Sequence, residues 1–548
     1  MKAIISSLIA VFFFATISAG DVLRVPSVFS SIQEAFSILE HGDTILVAPG
    51  VYVEALTAPA SDFVMLGEVA IDSFAVEFSV IDPTDLPGSD SLRCLTLTGG
   101  RAEFRDIVFR NRSGMTSGRA SSNPGGVRGD TTVVEATFER CMFDSVHSGV
   151  SRIDRIMVNR CRFIGSRVGA VYTGLWRGRL FADSTWFDGA TLGLVTAGRG
   201  GLIKNCLFTH RGGHQMLVGL GDSLLIENCH FLGLDTLSVR AILIRPRCGS
   251  HVRDCLFENI LYGSTGIVDI VDTCFGQPKG WDCELEFINN RFLRCGSTRW
   301  NTNSGGEMVH IRCSESGQGF IALLDSNMID STQDVRGMAS GIVLRGSAIV
   351  RNTIFGDGVT RTKPQVAVYD RSVHDTAYFR HNSFGQEPGG IEFFIGGTAV
   401  IDARDNWWGH ASGPFHPQNN PSGQGAYVDD GIRFNPWLLS DPDTANIDTN
   451  EVAVDDRTRL TASEFVMTAF PNPFNAVTTL QIEVGRIGDY EVILYDVTGR
   501  VAAEVFTGRI DRRQSVSLNA DGLSSGVYFA RLSGNEGTLA VSKVLLLK

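Results

Sequence analysis

The chain reads as all-β: a right-handed parallel β-helix solenoid with an N-terminal capping helix, followed by a C-terminal immunoglobulin-like β-sandwich. Three observations predict this. A short phrase, Asn/Arg-Cys-x-Phe, keeps returning, as in Arg140-Cys141-Met142-Phe143, Arg160-Cys161-Arg162-Phe163, Asn205-Cys206-Leu207-Phe208 and Asn228-Cys229-His230-Phe231, with Asp254-Cys255-Leu256-Phe257 as a close variant. Copies and degenerate relatives, from Ile107-Val108-Phe109 to Asn406-Trp407-Trp408, recur every roughly 20 to 36 residues, the period of stacked repeats. The intervals hold short β-type runs bounded by glycine, with no long helical pattern between them. In such a solenoid each coil buries its apolar face on the coils above and below.

The bulk numbers agree. At 548 residues the chain is too long for one ordinary compact domain, a limit a solenoid escapes. Its apolar content of 43% excludes general disorder. A net charge of −12 lacks the basic footprint that nucleic-acid phosphates require, so no nucleic acid is expected as partner. Residues 1–20 read as a signal peptide: Lys2, an apolar core from Ala3 to Ala15, and small residues Ser18-Ala19-Gly20 before Asp21. The run is short for a membrane span, although an uncleaved anchor is the alternative. No later stretch is apolar enough to cross a bilayer.

Eleven cysteines in an exported chain would ordinarily suggest disulfides. Yet Cys141, Cys161, Cys206, Cys229 and Cys255 share one place in the repeat, two residues before the aromatic. Equivalent positions stack about 4.8 Å apart in a parallel sheet. The reading is a ladder of buried thiols packing as small hydrophobes. Cross-coil disulfides compete with it, because that Cα spacing permits them. Cys274 and Cys283 are the best disulfide candidates, and no paired Cys-x-x-Cys supports zinc.

Along the chain, Ser31 with Glu34 forms a capping box for a helix ending at Gly42, with Ile32, Ala35, Phe36 and Leu39 on one face. A strand follows at Thr44–Val47, then the turn Ala48-Pro49-Gly50. The helix would cover the open edge of the first coil. The order Ile32-Gln33-x-Ala35, Gly42-Asp43-Thr44-Ile45 and Pro49-Gly50-x-Tyr52-x-Glu54 resembles the start of the pectate-lyase-like β-helix superfamily. That likeness implies the fold and says little of activity. The asparagines before the aromatic anchors read as turn residues that tolerate left-handed geometry. Asp405-Asn406-Trp407-Trp408-Gly409, with Phe434-Asn435-Pro436-Trp437, resembles the closing coil of bacterial β-helix proteins. Asp429 and Asp430 there invite an acid/base reading, but a closing role is simpler. The β-helix with its caps is thus expected over 21–439.

Residues 440–463 are an acidic linker whose spaced aspartates could offer oxygen to calcium, although no run matches an EF-hand loop. No cofactor is expected. Residues 464–548 hold short strands separated by turn residues, the spacing of a sandwich. Phe470-Pro471-Asn472-Pro473-Phe474-Asn475, Tyr495-Asp496-Val497-Thr498-Gly499-Arg500 and Leu523-Ser524-Ser525-Gly526-Val527-Tyr528 are similar to the sorting domain of type IX secretion cargo. That resemblance implies secretion or display on the outer cell surface, with the secretion machinery as a partner.

For chemistry, strands with Ile244, Ile270, Ile311, Leu344 and Val368 inward leave two outward columns. One holds Leu243, Asp269, His310, Val343 and Ala367. The other holds Arg245, Val271, Arg312, Arg345 and Tyr369. Asp269 and His310 on neighbouring coils could abstract a proton, with Arg312 and Arg345 holding a uronic-acid carboxylate. That is the logic of a polysaccharide lyase. Opposite charges on neighbouring strands also pair with no catalytic role, and a fold establishes no activity. The central coils lack the Asn-Thr-Asp, Asp-Asp and His-Gly set of polygalacturonases, and the clustered Asp trio that binds calcium in pectate lyases. Two readings therefore stand: a surface protein binding polysaccharide or another cell-surface glycan, or a lyase or glycoside hydrolase acting on acidic glycans.

Overall fold

The computed structural model describes residues 20–442 and 465–546, apart from segments of which the longest are 114–124, 272–282, 296–308, 313–319, 330–340 and 357–364. Two compact units divide between residues 447 and 448. The first is a parallel β-helix. Three long sheets run its length, one of 16 strands and two of 13, and every neighbour along each sheet is the equivalent strand of the next coil. The first sheet runs from Val22–Val25 to Ile432–Arg433, the second from Gly50–Tyr52 to Ser383–Phe384, the third from Leu56–Ala58 to Ile391–Ile395. One continuous apolar core fills the space between them.

The sequence places the helix ahead of the first coil, but a rung comes before it. Val22–Val25 pairs in register with Thr44–Val47, so a first rung precedes the helix. The helix is also shorter, Ile32–Ser37 rather than Ser31 to His41. Ser31 accepts from the Glu34 amide as expected. Glu34 instead reaches Ser30, whose amide and hydroxyl both donate to it. The remaining free amides of that first turn, Ile32 and Gln33, donate to the Glu54 carboxylate at 3.0 and 2.9 Å. Gln33 and Thr57 exchange two further bonds. These contacts give the residues Gln33 and Glu54 a physical role. Ile32, Ala35 and Phe36 join the interior core, and Phe36 meets the Phe63 ring edge-on at 5.5 Å.

The aromatic anchors form one interior column on the second sheet. Phe143 and Phe163 stack at 4.5 Å, Phe187 and Phe208 at 5.0 Å, Phe208 and Phe231 at 4.7 Å, Phe231 and Phe257 at 5.0 Å. The stack runs unbroken from Phe109 to Phe292. Ile329 interrupts it, and Phe355, Phe384 and Trp408 resume it. Parallel in-register strands impose this spacing, which falls within the favourable range for offset rings. Glycines on the third sheet make room for it. A Cβ on Gly149 would lie 2.7 Å from the Phe163 ring and 2.3 Å from the Ala170 carbonyl oxygen.

The corner before each anchor repeats too. The residue three places before the aromatic is left-handed, with φ between 49° and 58° from Asp106 to Asp405. Asn205, Asn228 and Asn352 occupy this position, as expected of turn asparagines. Asn290, Asn327, Asn382 and Asn406 do not. They sit one residue later, fully buried, in the column that the cysteines occupy in the earlier coils. Cys94, Cys141, Cys161, Cys206, Cys229, Cys255 and Cys295 are buried and free. The Cys274 and Cys283 side chains lie outside the described residues.

The second unit has two antiparallel sheets. Phe465–Phe470, Val477–Val484 and Arg513–Asn519 form one, and Gly488–Asp496, Val501–Ile510, Gly526–Gly534 and Gly537–Leu546 form the other. Residues from both, including Leu480, Ile482, Val492, Leu494 and Leu532, share one core.

Two outcomes follow. Phe208→Ala should cost about 3–5 kcal/mol and Gly149→Ala about 1–3 kcal/mol of stability, seen as lower urea midpoints. Burial pushes the Cys295 thiol up to about 12 and moves Cys94 in the same direction. These thiols favour the folded state below an unfolded pKa near ~8.5, and that contribution is lost as pH rises toward the folded value. Stability should therefore fall between pH ~8.5 and ~10.5, by about 2 kcal/mol for each such thiol. Cys295→Ala should flatten that slope, and an unchanged slope would contradict the assignment.

Candidate functional site

The third sheet carries the column that sequence periodicity picks out. Leu243, Asp269, His310, Val343 and Ala367 pair in register on successive coils, and Glu392 extends them. His310 Nδ1 lies 3.5 Å from Asp269 Oδ1. Arg312 pairs in register with Val271 and with Arg345, so their backbones are adjacent; both arginine side chains lie outside the described residues. Ile311, Leu344 and Val368 belong to the interior core. Val343 and Ala367 form a separate small apolar cluster, so they lie on the opposite face of the sheet. That face is covered here, because Asp269 and His310 are 0% and 1% exposed. Both make further polar interactions. Proton transfer to a polymer at this pair requires the cover to move. Asp272 and Asp370, at the ends of these strands, lie outside the described residues.

A second cluster escaped the sequence reading. It lies on the outer face of the second sheet, opposite the aromatic ladder. His230 Nε2 stands 3.0 Å from Glu258 Oε2, and Arg294 pairs with Glu258 Oε1. Arg294 Nε also donates to Asn259 Oδ1 at 2.8 Å. His230 and Glu258 are nearly buried. Alternation sets the geometry: Phe231 and Phe257 point inward, so His230 before one and Glu258 after the other point outward on adjacent rungs. His230 hid inside the Cys-x-Phe phrase, where its neighbours carry the repeat. The outward alternation at positions flanking each Phe was the signal that could have exposed it.

The same face continues toward the N-terminus. Trp186 donates from Nε1 to Thr209 Oγ1 at 2.9 Å, and Thr209 donates to Asp188 at 2.8 Å. The Arg162 guanidinium lies over the indole, 4.7 Å from its centre. Met142, Arg162, Trp186, Leu207, His230, Leu256, Arg291 and Met328 follow one another in register. The result is a straight mixed strip of apolar, aromatic and charged groups.

In the closing coil, Tyr427 donates to Asp429 at 2.7 Å, which pushes Tyr427 up to about 12. Glu392, on the neighbouring strand, is raised by burial and then by Asp429. Asp430 reaches His416 Nε2 at 3.2 Å, while His416 Nδ1 accepts the Gln418 and Asn419 amides. His416 therefore holds a turn. Asp402, gripped by the Arg404 and Arg380 guanidinium groups, is held well below the usual carboxylate range. Most aspartates of the acidic linker lie outside the described residues, but Asp441 accepts from Ser383 Oγ at 2.9 Å.

Residues 468–546 match the secretion system C-terminal sorting domain family. The C-terminal unit is thus a type IX sorting domain, and it marks the chain as secreted or displayed at the cell surface. No helix among the described residues is long and apolar enough to cross a membrane. No curated protein matches the chain. Among solved structures, it is similar to DFA-IIIase from Arthrobacter chlorophenolicus A6 without its lid, at 12% identity and a TM-score of 0.31, over 66% of this chain and 89% of that one. It is also similar to tailspike protein 3 of bacteriophage CBA120, at 11% identity and a TM-score of 0.29, over 73% of this chain and 51% of that one. A third is the tailspike of E. coli bacteriophage HK620 in complex with a pentasaccharide, at 10% identity and a TM-score of 0.28, over 87% of this chain and 81% of that one. The likeness is remote in each case.

Glu258 lies between His230 and Arg294, so Glu258→Gln should leave the Arg294 guanidinium facing a weaker, neutral acceptor. The expected cost is about 1–3 kcal/mol in thermal unfolding. A variant as stable as the parent would show that the cluster is held by something other than this carboxylate.

Proposed function

We propose that the chain is a surface protein that binds polysaccharide or another cell-surface glycan along its solenoid and is exported through its C-terminal domain. Its parts are a signal peptide over 1–20, a β-helix over 21–439, a linker over 440–463 and an immunoglobulin-like sandwich over 464–548. The helix at Ile32–Ser37 serves as a lid on the first coil. The observation that carries the glycan reading is the outer strip of the second sheet. A linear polymer of sugar rings offers alternating apolar faces and hydroxyl groups. A straight strip mixing Trp186 and Leu207 with Asp188 and Arg162 offers both kinds of partner, at a spacing set by the rungs.

The second reading is a polysaccharide lyase or glycoside hydrolase acting on acidic glycans. His310 with Asp269 would do the acid/base work, and Arg312 and Arg345 would hold the sugar acid. The 3.5 Å approach of the His310 imidazole nitrogen to the Asp269 carboxylate oxygen favours it, and their near-complete burial weighs against it.

The test is direct. The full-length protein is screened against a panel of neutral and acidic polysaccharides for both binding and cleavage, with unsaturated products and reducing ends measured together. Binding without cleavage is expected, and Trp186→Ala should weaken it by about tenfold. Cleavage that drops on the order of 100-fold in His310→Ala would establish the enzyme instead. Deleting residues 464–548 should leave a folded solenoid that the native cell no longer delivers to its surface. Undiminished delivery would refute the export role.

A further inference from the structure

The outer face of the third sheet changes character near its N-terminal end. Arg128 sits in register between Thr96 and Ser151 on the coils to either side, and Tyr172 follows Ser151. Arg93 opens the strand beside it, paired with Gly125. Arg152 follows Ser151 directly, in the left-handed conformation that ends its strand. Three guanidinium groups thus come from three successive coils. Arg93 and Arg128 are half-buried and Arg152 is exposed.

Many arginines elsewhere in the β-helix meet a carboxylate. Arg110 pairs with Asp144, Arg140 with Asp106, Arg253 with Glu227, Arg351 with Asp325 and Arg380 with Asp402. Arg93, Arg128 and Arg152 have no such partner among the described residues. They stand close enough that burial and mutual repulsion depress the proton affinity of Arg93 and Arg128. In a chain of net charge −12, leaving three cations unpaired beside one another opposes the general balance. Like charges gathered on one face cost stability unless an anion arrives from outside.

We infer that Arg93, Arg128 and Arg152 form an anion subsite for an acidic polysaccharide. Guanidinium forks take carboxylate or sulfate oxygens in paired hydrogen bonds, and the Thr96 and Ser151 hydroxyls with Tyr172 offer partners to the neighbouring sugar hydroxyls. The inference rests on the glycan-binding reading and narrows it to polymers that carry an oxyanion.

The experiment uses the full chain with polygalacturonate, dextran sulfate and uncharged dextran as probes, followed by calorimetry from about 50 to about 200 mM NaCl. The parent should bind polygalacturonate or dextran sulfate, and whichever it prefers separates carboxylate from sulfate ester. The triple variant Arg93→Gln, Arg128→Gln, Arg152→Gln should bind about tenfold or more weakly, with a flatter salt dependence. It should melt no lower than the parent, because self-repulsion has been removed. Arg433→Gln, an exposed cation elsewhere, should bind like the parent. Equal affinity of triple variant and parent for the acidic polymers overturns the subsite and leaves glycan binding standing. So does a parent that binds dextran as tightly as the charged polymers. A parent that binds no glycan at all removes both. A triple variant that melts well below the parent assigns the three arginines to structure, and also overturns the inference.

Discussion

The β-helix depends on how its tightest corner satisfies the backbone. Between the first and second sheets the chain turns in two residues, one left-handed and one buried. The carbonyl of the buried residue accepts from the strand of the next coil, as Cys141 does from the Arg162 amide at 3.0 Å. Its side chain adds a further donor. The thiols of Cys161, Cys206, Cys229 and Cys255 point to the carbonyl two residues back, at 3.1 to 3.4 Å. Thr185 and Thr353 make the same bond at 2.9 and 3.1 Å. In the later coils asparagine takes over and adds a second function. Asn290, Asn327, Asn382 and Asn406 each lend a side-chain oxygen to the amide of the equivalent residue one coil earlier. A buried amide or carbonyl left alone would cost roughly 1–3 kcal/mol, and the corner recurs in every coil.

This explains which parts of the fold could be read from the sequence. The corner admits few residue types, and the place two residues on demands an aromatic that stacks on its neighbours. Those two constraints wrote the Cys-x-Phe phrase. The interchange of Cys, Thr and Asn obscured what the position does. Seen only in its cysteine form it resembled a packing ladder, and the asparagines looked like ordinary turn residues. The register of the third sheet was equally legible, because Ile311, Leu344 and Val368 must face inward together. The cover over Asp269 and His310 was not. It depends on what lies over the sheet, which strand periodicity does not encode. The first rung at Val22–Val25 was missed because four residues beside a proline carry almost no periodic signal.

Polar side chains on the outside of the sheets serve different ends. Along the corner, charges pair rung to rung and largely cancel, as with Arg140 and Asp106 or Arg351 and Asp325. On the second sheet the nearly buried His230 and Glu258 are joined by the partly exposed Arg294. Exposed pairs of the first kind contribute little to stability, whereas a nearly buried cluster is costly to break. Charge on this solenoid therefore has to be judged site by site, from exposure and partners.

The thiol column also bears on how such a chain reaches its destination. Secreted chains pass through compartments that oxidise cysteine. Neighbouring rungs hold their Cα atoms about 4.8 Å apart, within the range over which two cysteines can link. Protection therefore comes from order of assembly. In the folded solenoid Cys141, Cys161, Cys206, Cys229 and Cys255 are at most 2% exposed, so only a coil not yet docked leaves its sulfur open to an oxidant. A coil that docks late exposes a reactive pair, and a bond formed then would lock two rungs together from the wrong side. In this column the hazard is confined to the earlier coils, because the later ones carry asparagine and threonine at the same place.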